Sequence, residues 1–314
     1  MNQPISNKQI ILITGSTGFV CRHLVSSLLE KSNFNIVLTY RKKKGNYQDN
    51  SRLFFEKADL LTPDSFEQII VKHTPKYIIH LAAMARVSDG EDDPLKVIKA
   101  NLLSTFRLAG LAKKYNVESM IFTSSNLAQD AVSVVGIGKY LVEQYFQKIN
   151  SQATKFVSLR MPNVIDSNGA VTLIFKKQIE NNQPITITHP DMSRMFVTGE
   201  HAADFLYYLL DNGLNKGVYV SYDKPIKITD LAETMIKESG KDVKIRFIGV
   251  KPGEKLSEKS FSIDKVIRTN INGLGRIKDY KFDKNKTISA INFLNKSEEI
   301  RSDKHIQNIF AALC

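Results

Sequence analysis

The stretch Ile10-Ile11-Leu12-Ile13-Thr14-Gly15-Ser16-Thr17-Gly18-Phe19-Val20 decides the fold of this 314-residue chain. Its first half is a short apolar run rich in β-branched residues, which is typical of a buried strand. Two glycines three positions apart follow, and a helical pattern of apolar residues then continues through Leu29. The sequence therefore predicts a strand, a glycine turn and a helix, in that order.

The same alternation of strand and helix continues through the first half of the chain. Apolar runs predict strands at 35–40, 52–56, 77–81, 119–123 and 155–160. Helical patterns predict helices at 63–72, 94–115 and 136–150. Strands that alternate regularly with helices indicate an α/β fold built on a Rossmann-type, doubly wound parallel sheet.

The glycine turn predicts a phosphate-binding site. Between a strand and a helix, Gly15 and Gly18 allow the backbone to approach a pyrophosphate, and the helix N-terminus attracts its charge. An ordinary strand-to-helix turn is the alternative, although such a turn rarely needs two glycines at this spacing. Cys21 replaces the third glycine of the usual motif, whose role is close packing of the helix on the strand. We therefore expect a bound dinucleotide.

The end of the second predicted strand indicates which dinucleotide is bound. An acidic residue there would bind the ribose hydroxyls of NAD, whereas a cation would pair with the 2′-phosphate of NADP. The sequence has Arg41 and Lys42, so NADP is favoured over NAD unless both are solvated loop charges. The predicted cofactor residues are Gly15, Ser16, Thr17, Gly18, Phe19, Val20, Arg41, Lys42, Asp59, Leu60, Ala82, Ala83 and Asn101. His80, just before the alanines, could equally be a core histidine with satisfied hydrogen bonds.

The alternation becomes less regular after residue 165. We predict an NADP-binding Rossmann domain over 1–165, to which later segments near 198–235 return. Residues 166–314 are expected to form mostly a smaller substrate-binding lobe and a C-terminal helical segment.

Two local patterns predict where later elements begin and end. Thr229 and Asp230 are expected to cap a helix that Gly240 ends in a left-handed conformation. The stretch 283–287, which contains lysine and asparagine, is expected to form a mobile loop.

Composition limits the expected partners and location. The formal net charge is +12, yet the basic residues are scattered and 41–44 is the only dense run. No basic stretch is interleaved with aromatic residues, so nucleic acid is not an expected partner. No apolar run approaches the roughly 20 residues that cross a bilayer, and residues 1–4 lack the features of a secretion signal, so we expect a cytoplasmic protein. Cys21 and Cys314 provide neither a disulfide framework nor a metal cluster.

Four stretches resemble the extended short-chain dehydrogenases of polysaccharide biosynthesis, a group that includes UDP-N-acetylglucosamine 4,6-dehydratases and nucleotide-sugar epimerases. They are 14–20, 160–164 with 169–171, 184–188 with 192–196, and Lys251-Pro252-Gly253-Glu254-Lys255-Leu256-Ser257-Glu258. The last stretch is the most specific, because few other dehydrogenase groups carry it in that place. The resemblance extends from residue 10 to about residue 260 and implies a UDP-sugar ligand. By analogy it also implies a homo-oligomer.

The resemblance places Asn163, Lys176, Arg194 and Glu254 in the sugar-nucleotide pocket. Such a pocket needs cations for the diphosphate and amide or backbone partners for the uracil. Lys176, next to Lys177, is equally well explained as a surface charge.

The catalytic segment departs from the pattern of the group. The resemblance implies Ser-Thr-Asp-Lys at a strand end, followed by Tyr-x-x-x-Lys on a helix. In relatives the tyrosine removes the sugar hydroxyl proton, its lysine partner holds the nicotinamide ribose, and the Asp and Lys carry out dehydration. Here the matching residues are Ser124-Ser125-Asn126-Leu127 and Val135-Gly136-Ile137-Gly138-Lys139. Of the tyrosine, the two lysines and the aspartate, only the helix lysine is retained, and valine, asparagine and leucine cannot perform these proton transfers.

Two hypotheses about function therefore stay open. In the first, the chain is an NADP-dependent dehydratase, epimerase or oxidoreductase acting on a UDP-amino sugar. Lys139, which would also contact the cofactor, then moves protons together with Ser124 or Ser125. In the second, the chain is a catalytically silent relative that binds NADP or a UDP-sugar and regulates or scaffolds a polysaccharide pathway.

Overall fold

The computed structural model describes residues 9–62, 65–258 and 262–314. Its strands are β1 Ile10–Thr14, β2 Asn35–Tyr40, β3 Leu53–Lys57, β4 Tyr77–His80, β5 Ser119–Ser125, β6 Lys155–Met161, β7 Asn163–Val164, β8 Ile185–Ile187, β9 Ser193–Arg194, β10 Phe196–Val197, β11 Val218–Ser221, β12 Ile226–Lys227, β13 Ile245–Phe247, β14 Val266–Arg268 and β15 Leu274–Ile277. Its α-helices are α1 Phe19–Lys31, α2 Ser65–His73, α3 Val87–Asp92, α4 Pro94–Ile98, α5 Ser104–Lys114, α6 Val134–Lys148, α7 Val171–Glu180, α8 Gly199–Asn212, α9 Ile228–Ser239, α10 Lys284–Leu294, α11 Glu298–Ser302 and α12 Lys304–Leu313.

The central sheet has nine strands in the order β14-β15-β11-β6-β5-β4-β1-β2-β3. The strands from β11 to β3 in that order pair in parallel, while β15 and β14 are antiparallel additions at one edge. The order 3-2-1-4-5-6 is that of the Rossmann fold, so the predicted α/β class is confirmed. The carboxyl ends of β1, β4, β5 and β6 consequently meet at one edge of the sheet, where such folds bind their ligands.

The helix predicted over 94–115 is divided into three parts. Helices α4 and α5 are joined by a π-helical turn, Lys99–Leu103. The Thr105 hydroxyl donates to the carbonyl oxygen of Asn101 at 2.5 Å, and the Ser104 hydroxyl donates to that of Ala100. A widened turn of this kind is frequent near functional sites. The helix predicted at 63–72 corresponds to α2, and the first two positions of that prediction, 63 and 64, lie outside the described residues.

Two of the predictions about element boundaries are wrong, and one is confirmed. Helix α9 begins at Ile228 after Lys227, so Thr229 and Asp230 lie in its first turn instead of capping it. An acidic residue there still interacts favourably with the helix dipole. Gly240 does end α9, with a φ of +67°. The expected mobile loop at 283–287 is instead the start of α10, because the Asp283 side chain caps the amide of Lys286 at 2.9 Å.

Three apolar clusters form the core. Two lie on opposite faces of the nine-stranded sheet, and the C-terminal helices α10 to α12 pack into the one that contains α6. The third cluster belongs to a smaller lobe and contains residues of α7, β8 and α9. Helix α9 thus packs in the smaller lobe, while α8 and β11 pack with the sheet. The exact division of the chain at residue 165 stays a prediction. None of the helices that the structure describes has the length and apolar character that a membrane span requires.

Candidate functional site

The turn after β1 has the geometry of an anion-binding site. Gly15 adopts a φ of +83°, and a Cβ atom there would stand 3.1 Å from the backbone of Ala82. Gly18 is the N-cap of α1 and makes no side-chain cap, so the first amides of the helix are not covered by a side chain. The Ser16 hydroxyl is buried and has no partner among the described residues. The glycine backbone, the N-terminus of α1 and the unpartnered Ser16 hydroxyl are groups that could bind a pyrophosphate, so the turn fits such a ligand.

The loop after β2 lies beside this turn. The Tyr47 hydroxyl donates to the carbonyl oxygen of Ser16 at 2.6 Å and lies 3.4 Å from the Cys21 sulfur. Cys21 lies in the first turn of α1 and is fully buried, so it serves as a packing residue, and burial raises the pKa of its thiol to about 12. Arg41 and Lys42 follow β2 directly and are exposed, so both are accessible to a ligand at the strand end.

The other residues predicted to contact the cofactor follow β3 and β4 or, for Asn101, lie in the π-helical turn between α4 and α5. Asp59 uses a carboxylate oxygen to accept the amide of Leu61 at 3.0 Å. The Asn101 side chain both donates to and accepts from the backbone of Met84, at 2.8 Å each. Asn101 therefore holds the loop that follows Ala82 and Ala83, and its amide is committed to that loop.

His80 is a buried histidine at the end of β4. Its Nδ1 lies 2.8 Å from the Thr14 hydroxyl and its Nε2 lies 3.0 Å from the Thr105 hydroxyl. Burial, assisted by the nearby charge of Lys139, lowers the pKa of His80 to about 3. Of the two interpretations left open by the sequence, the structure supports the core histidine.

The free energy of unfolding is expected to fall as the pH drops below 6.5. His80 binds a proton in the unfolded chain at its usual pKa of about 6.5, but in the folded chain only near pH 3. This one group then contributes a slope of up to about 1.4 kcal/mol per pH unit between those values. Urea unfolding of the wild type and of His80→Gln, measured between pH 6.5 and 5, checks the slope. Parallel pH curves for the two proteins would show that His80 is protonated in the native state.

The three residues predicted to be catalytic meet at the carboxyl end of β5. The Ser124 hydroxyl donates to Glu143 at 2.6 Å, and this fully buried carboxylate also forms a two-point ion pair with Arg160. Lys139 donates from Nζ to the carbonyl oxygen of Thr123 at 2.7 Å. Burial lowers the pKa of Lys139 to about 8, and Glu143 opposes that shift. The Ser125 hydroxyl accepts the amide of Leu127 at 3.2 Å, which leaves its own proton for donation.

The position that would carry the tyrosine is enclosed. Val135 is 1% exposed and packs in the core beside Gly90 of α3. Glu91 of the same helix accepts the amide of Val134 at 3.1 Å and so caps α6. Because α3 closes over the start of α6, a tyrosine at position 135 would displace α3.

Four segments meet at the Glu258 carboxylate, which sequence reasoning missed as a site residue. Glu258 accepts the amide of Met195 at 3.0 Å and the side-chain amides of Asn163 at 3.1 Å and Asn126 at 3.3 Å. The Arg194 guanidinium lies 3.8 Å away and also donates to the carbonyl oxygen of Lys255 at 2.8 Å. The signal was present in the sequence, since Glu258 ends the most specific of the four resembling stretches.

The remaining residues predicted to bind substrate are Glu254 and Lys176, and they have different surroundings. Glu254 accepts the amide of Lys251 at 3.3 Å and so shapes the turn of its own stretch. Gly253 in that turn has a φ of +73°, and a Cβ atom there would stand 2.8 Å from the Glu91 carboxylate, so this position requires glycine. Lys176 is exposed on α7 and makes no hydrogen bond or ion pair with the described residues, as expected of a surface charge.

The Glu258 carboxylate and its three donors, Asn126, Asn163 and Met195, form what we call the Glu258 centre. A pocket of about 150 Å³ opens next to this centre. Its lining residues are Asn126, Gln129, Asp130, Val132, Lys255, Ser257 and Glu258. The pocket therefore lies at the carboxyl end of β5, on the ligand-binding edge of the sheet.

Fold and strand order define the class of this protein, a Rossmann-fold α/β protein whose candidate site lies at the carboxyl ends of the central strands. UDP-glucose 4-epimerase from Thermus thermophilus, solved in complex with NAD, superimposes with a TM-score of 0.72 at 20% identity. The match covers 82% of this chain and 91% of the epimerase.

The chain belongs to the polysaccharide biosynthesis protein family, whose pattern it matches over residues 11–278. It is 32% identical over 276 residues to the capsular polysaccharide biosynthesis protein CapD of Staphylococcus aureus, with 82% of this chain and 46% of CapD covered. It is 31% identical over 280 residues to the probable polysaccharide biosynthesis protein EpsC of Bacillus subtilis, with 83% and 47% covered. The chain thus spans about half the length of these two relatives. The resemblance drawn from the sequence motifs is confirmed.

Proposed function

We propose that this chain binds NADP and a UDP-linked amino sugar and catalyses dehydration, epimerisation or a related oxidoreduction of the sugar in polysaccharide biosynthesis. The observation that carries the proposal is that the Glu258 carboxylate, in the wall of a pocket, accepts hydrogen bonds from Asn126, Asn163 and Met195. These residues come from separate segments, and all of them meet beside the strand ends where α/β proteins bind ligands. Family membership supports a nucleotide sugar as the ligand.

The turn at Gly15 supports a dinucleotide as the second ligand. Its open glycine backbone and the N-terminus of α1 would hold the pyrophosphate, with Ser16 supplying a hydroxyl. A nicotinamide dinucleotide supplies a hydride acceptor when bound. Arg41 and Lys42 would then select NADP over NAD, because their charges suit a 2′-phosphate.

Removing both of these charges is expected to weaken NADP binding selectively. The Arg41→Ala/Lys42→Ala variant should bind NADP about 10- to 100-fold more weakly, the range expected for lost charge-assisted hydrogen bonds, while NAD affinity changes little. Titration calorimetry with each dinucleotide measures the difference. Lys43→Ala/Lys44→Ala is a matched control, since it removes the same charge from the same exposed run. Equal losses in the two variants would mean that only general electrostatic attraction is involved.

In the proposed reaction the residues at the end of β5 position and transfer protons. The Lys139 amino group donates to the Thr123 carbonyl oxygen and has a lowered pKa, so it would orient a bound nicotinamide dinucleotide and supply a positive charge beside it. Ser124 is committed to Glu143, whereas Ser125 retains a hydroxyl proton that it can donate to the sugar.

One observation favours the silent binding module as the alternative. Val135 is buried under α3, and Ser124 and Lys139 already have protein partners, so the usual proton acceptor for a sugar hydroxyl is missing from the start of α6. A protein of this kind would bind its ligands without turnover.

Incubation with NADP and UDP-N-acetylglucosamine in heavy water distinguishes the two functions. Proton NMR of the sugar reports chemistry, and saturation transfer from protein to ligand in the same sample reports binding. Deuterium at C5, or a 4-keto product, is the result expected of the enzyme. Saturation transfer without either would establish the silent module. The absence of both binding and chemistry would contradict the UDP-sugar ligand.

A further inference from the structure

Lys255 brings an amino group to the end of β5 from a distant part of the chain. Its Nζ donates to the carbonyl oxygen of Gln129 and lies 3.5 Å from that of Leu127. Its own carbonyl oxygen accepts a hydrogen bond from Arg194 at 2.8 Å, which fixes the backbone at this point. Lys255 lines the pocket of about 150 Å³ beside Glu258, which is the candidate sugar pocket. Hydrogen bonds hold both its backbone and its amino group.

Three titratable side chains line that pocket, and two of them are committed elsewhere. Glu258 uses both carboxylate oxygens to accept the amides of Asn126, Asn163 and Met195. Asp130 is exposed and lies 3.6 Å from the Lys286 ammonium group. Lys255 is the third, and among the described residues it forms no ion pair with a carboxylate, because its amino group donates to backbone carbonyl oxygens instead.

The hydrogen bonds of Lys255 leave one direction open. An ammonium group has three N–H donors, and two of them face the carbonyl oxygens of Leu127 and Gln129. When the third proton leaves, the nitrogen lone pair takes its direction. Burial favours this neutral form and lowers the pKa of Lys255. The surrounding charges act in both directions, since Asp130 and Glu258 favour the ammonium while Arg160 and Arg194 disfavour it.

We propose that Lys255 is the catalytic base of the pocket and removes the proton from the sugar carbon adjacent to a C4 carbonyl group. In this step the C5–H bond breaks, its electron pair forms an enolate with the C4 oxygen, and the proton forms an N–H bond on Lys255. Return of a proton from Lys255 to C5 restores the ketone. The step needs no oxidant once the ketone is present. The proposal rests on the proposed function, because it requires a nucleotide sugar in this pocket.

The test supplies the ketone directly, so that proton transfer is separated from any oxidation at C4. The full chain is incubated in heavy water with UDP-2-acetamido-2,6-dideoxy-4-hexulose, and exchange of the C5 proton is followed by NMR above a protein-free blank. Wild type is compared with Lys255→Met, which removes the amine, and with Lys255→Arg, which keeps the charge but cannot act as a base. Lys244→Met, an exposed lysine of the smaller lobe, is the matched control.

Wild type and Lys244→Met are expected to catalyse exchange, while both Lys255 variants lose about 10²–10⁴-fold in rate, the usual contribution of a general base. The wild-type rate should rise with pH and level off below the usual lysine pKa of about 10.4. Saturation transfer to UDP-N-acetylglucosamine should persist in all four proteins. Exchange retained by Lys255→Arg, or no exchange by a wild type that binds the sugar, would overturn the proposal. Absence of saturation transfer from the wild type would overturn the proposed function as well.

Discussion

Replacement of Arg160 by methionine is expected to lower the free energy of unfolding by about 3–5 kcal/mol, the usual cost of breaking a buried ion pair by removing one partner. Arg160 donates to both carboxylate oxygens of Glu143, at 2.9 and 2.7 Å, and Glu143 is 0% exposed. Without the guanidinium, the carboxylate keeps only neutral donors in a region that water does not reach. Urea unfolding followed by circular dichroism measures the loss.

Two further variants show whether the ion pair is the cause. Arg246→Met changes an exposed arginine of β13 in the same way and should alter stability by less than about 0.5 kcal/mol. Arg160→Met combined with Glu143→Leu removes both charges and should recover much of the lost stability. If the double variant is no more stable than Arg160→Met, the loss arises from packing and not from an unpaired charge.

Glu258→Gln is expected to weaken binding of UDP-N-acetylglucosamine by about 10- to 100-fold. A net contribution of about 1.5–3 kcal/mol is usual for a hydrogen bond to a charged group, and Glu258 accepts several of them. Glutamine keeps the shape of the side chain but turns an NH₂ group toward at least one of these donors. The segments around the pocket then lose their common partner, and the site must be ordered when the sugar binds.

Saturation-transfer titration measures this affinity, with Glu238→Gln on the exposed face of α9 as the matched control. The control should bind like wild type. Circular dichroism establishes that Glu258→Gln remains folded. An unchanged affinity in a folded Glu258→Gln protein would mean that the Glu258 centre is not part of the sugar site.

The buried network around Glu143 explains why Ser124 is a poor candidate for proton transfer. The Tyr280 hydroxyl donates to Glu143 at 2.6 Å, and Gln144 donates to Tyr280 at 3.0 Å. Ser124 shares this carboxylate, so its hydroxyl serves to join β5 to α6 and to the segment before α10. The proton transfers that we propose at the strand end therefore need groups from other segments of the chain.

The sequence by itself determined the fold class and the glycine turn between β1 and α1. Both depend on local signals, namely the alternation of apolar runs and the glycine spacing at Gly15 and Gly18, which act within a few residues. The same holds for the family, because its motifs are contiguous. Where a helix-capping residue is followed by polar residues, as at 283–287, the loop predicted from the sequence was wrong. Asp283 is an N-cap, and the polar residues after it suggested a loop.

Only the tertiary structure decided which side chains share a site. Lys255 and Leu127 are 128 residues apart along the chain, and Glu258 and Asn126 are 132 apart, so no spacing in the sequence relates them. Burial also determined which side chains can reach a ligand. Val135 is covered by α3, and His80 and Ser124 form hydrogen bonds with other protein side chains. The physical reason is that hydrogen-bond satisfaction and desolvation are properties of the packed interior, where residues from distant segments become neighbours.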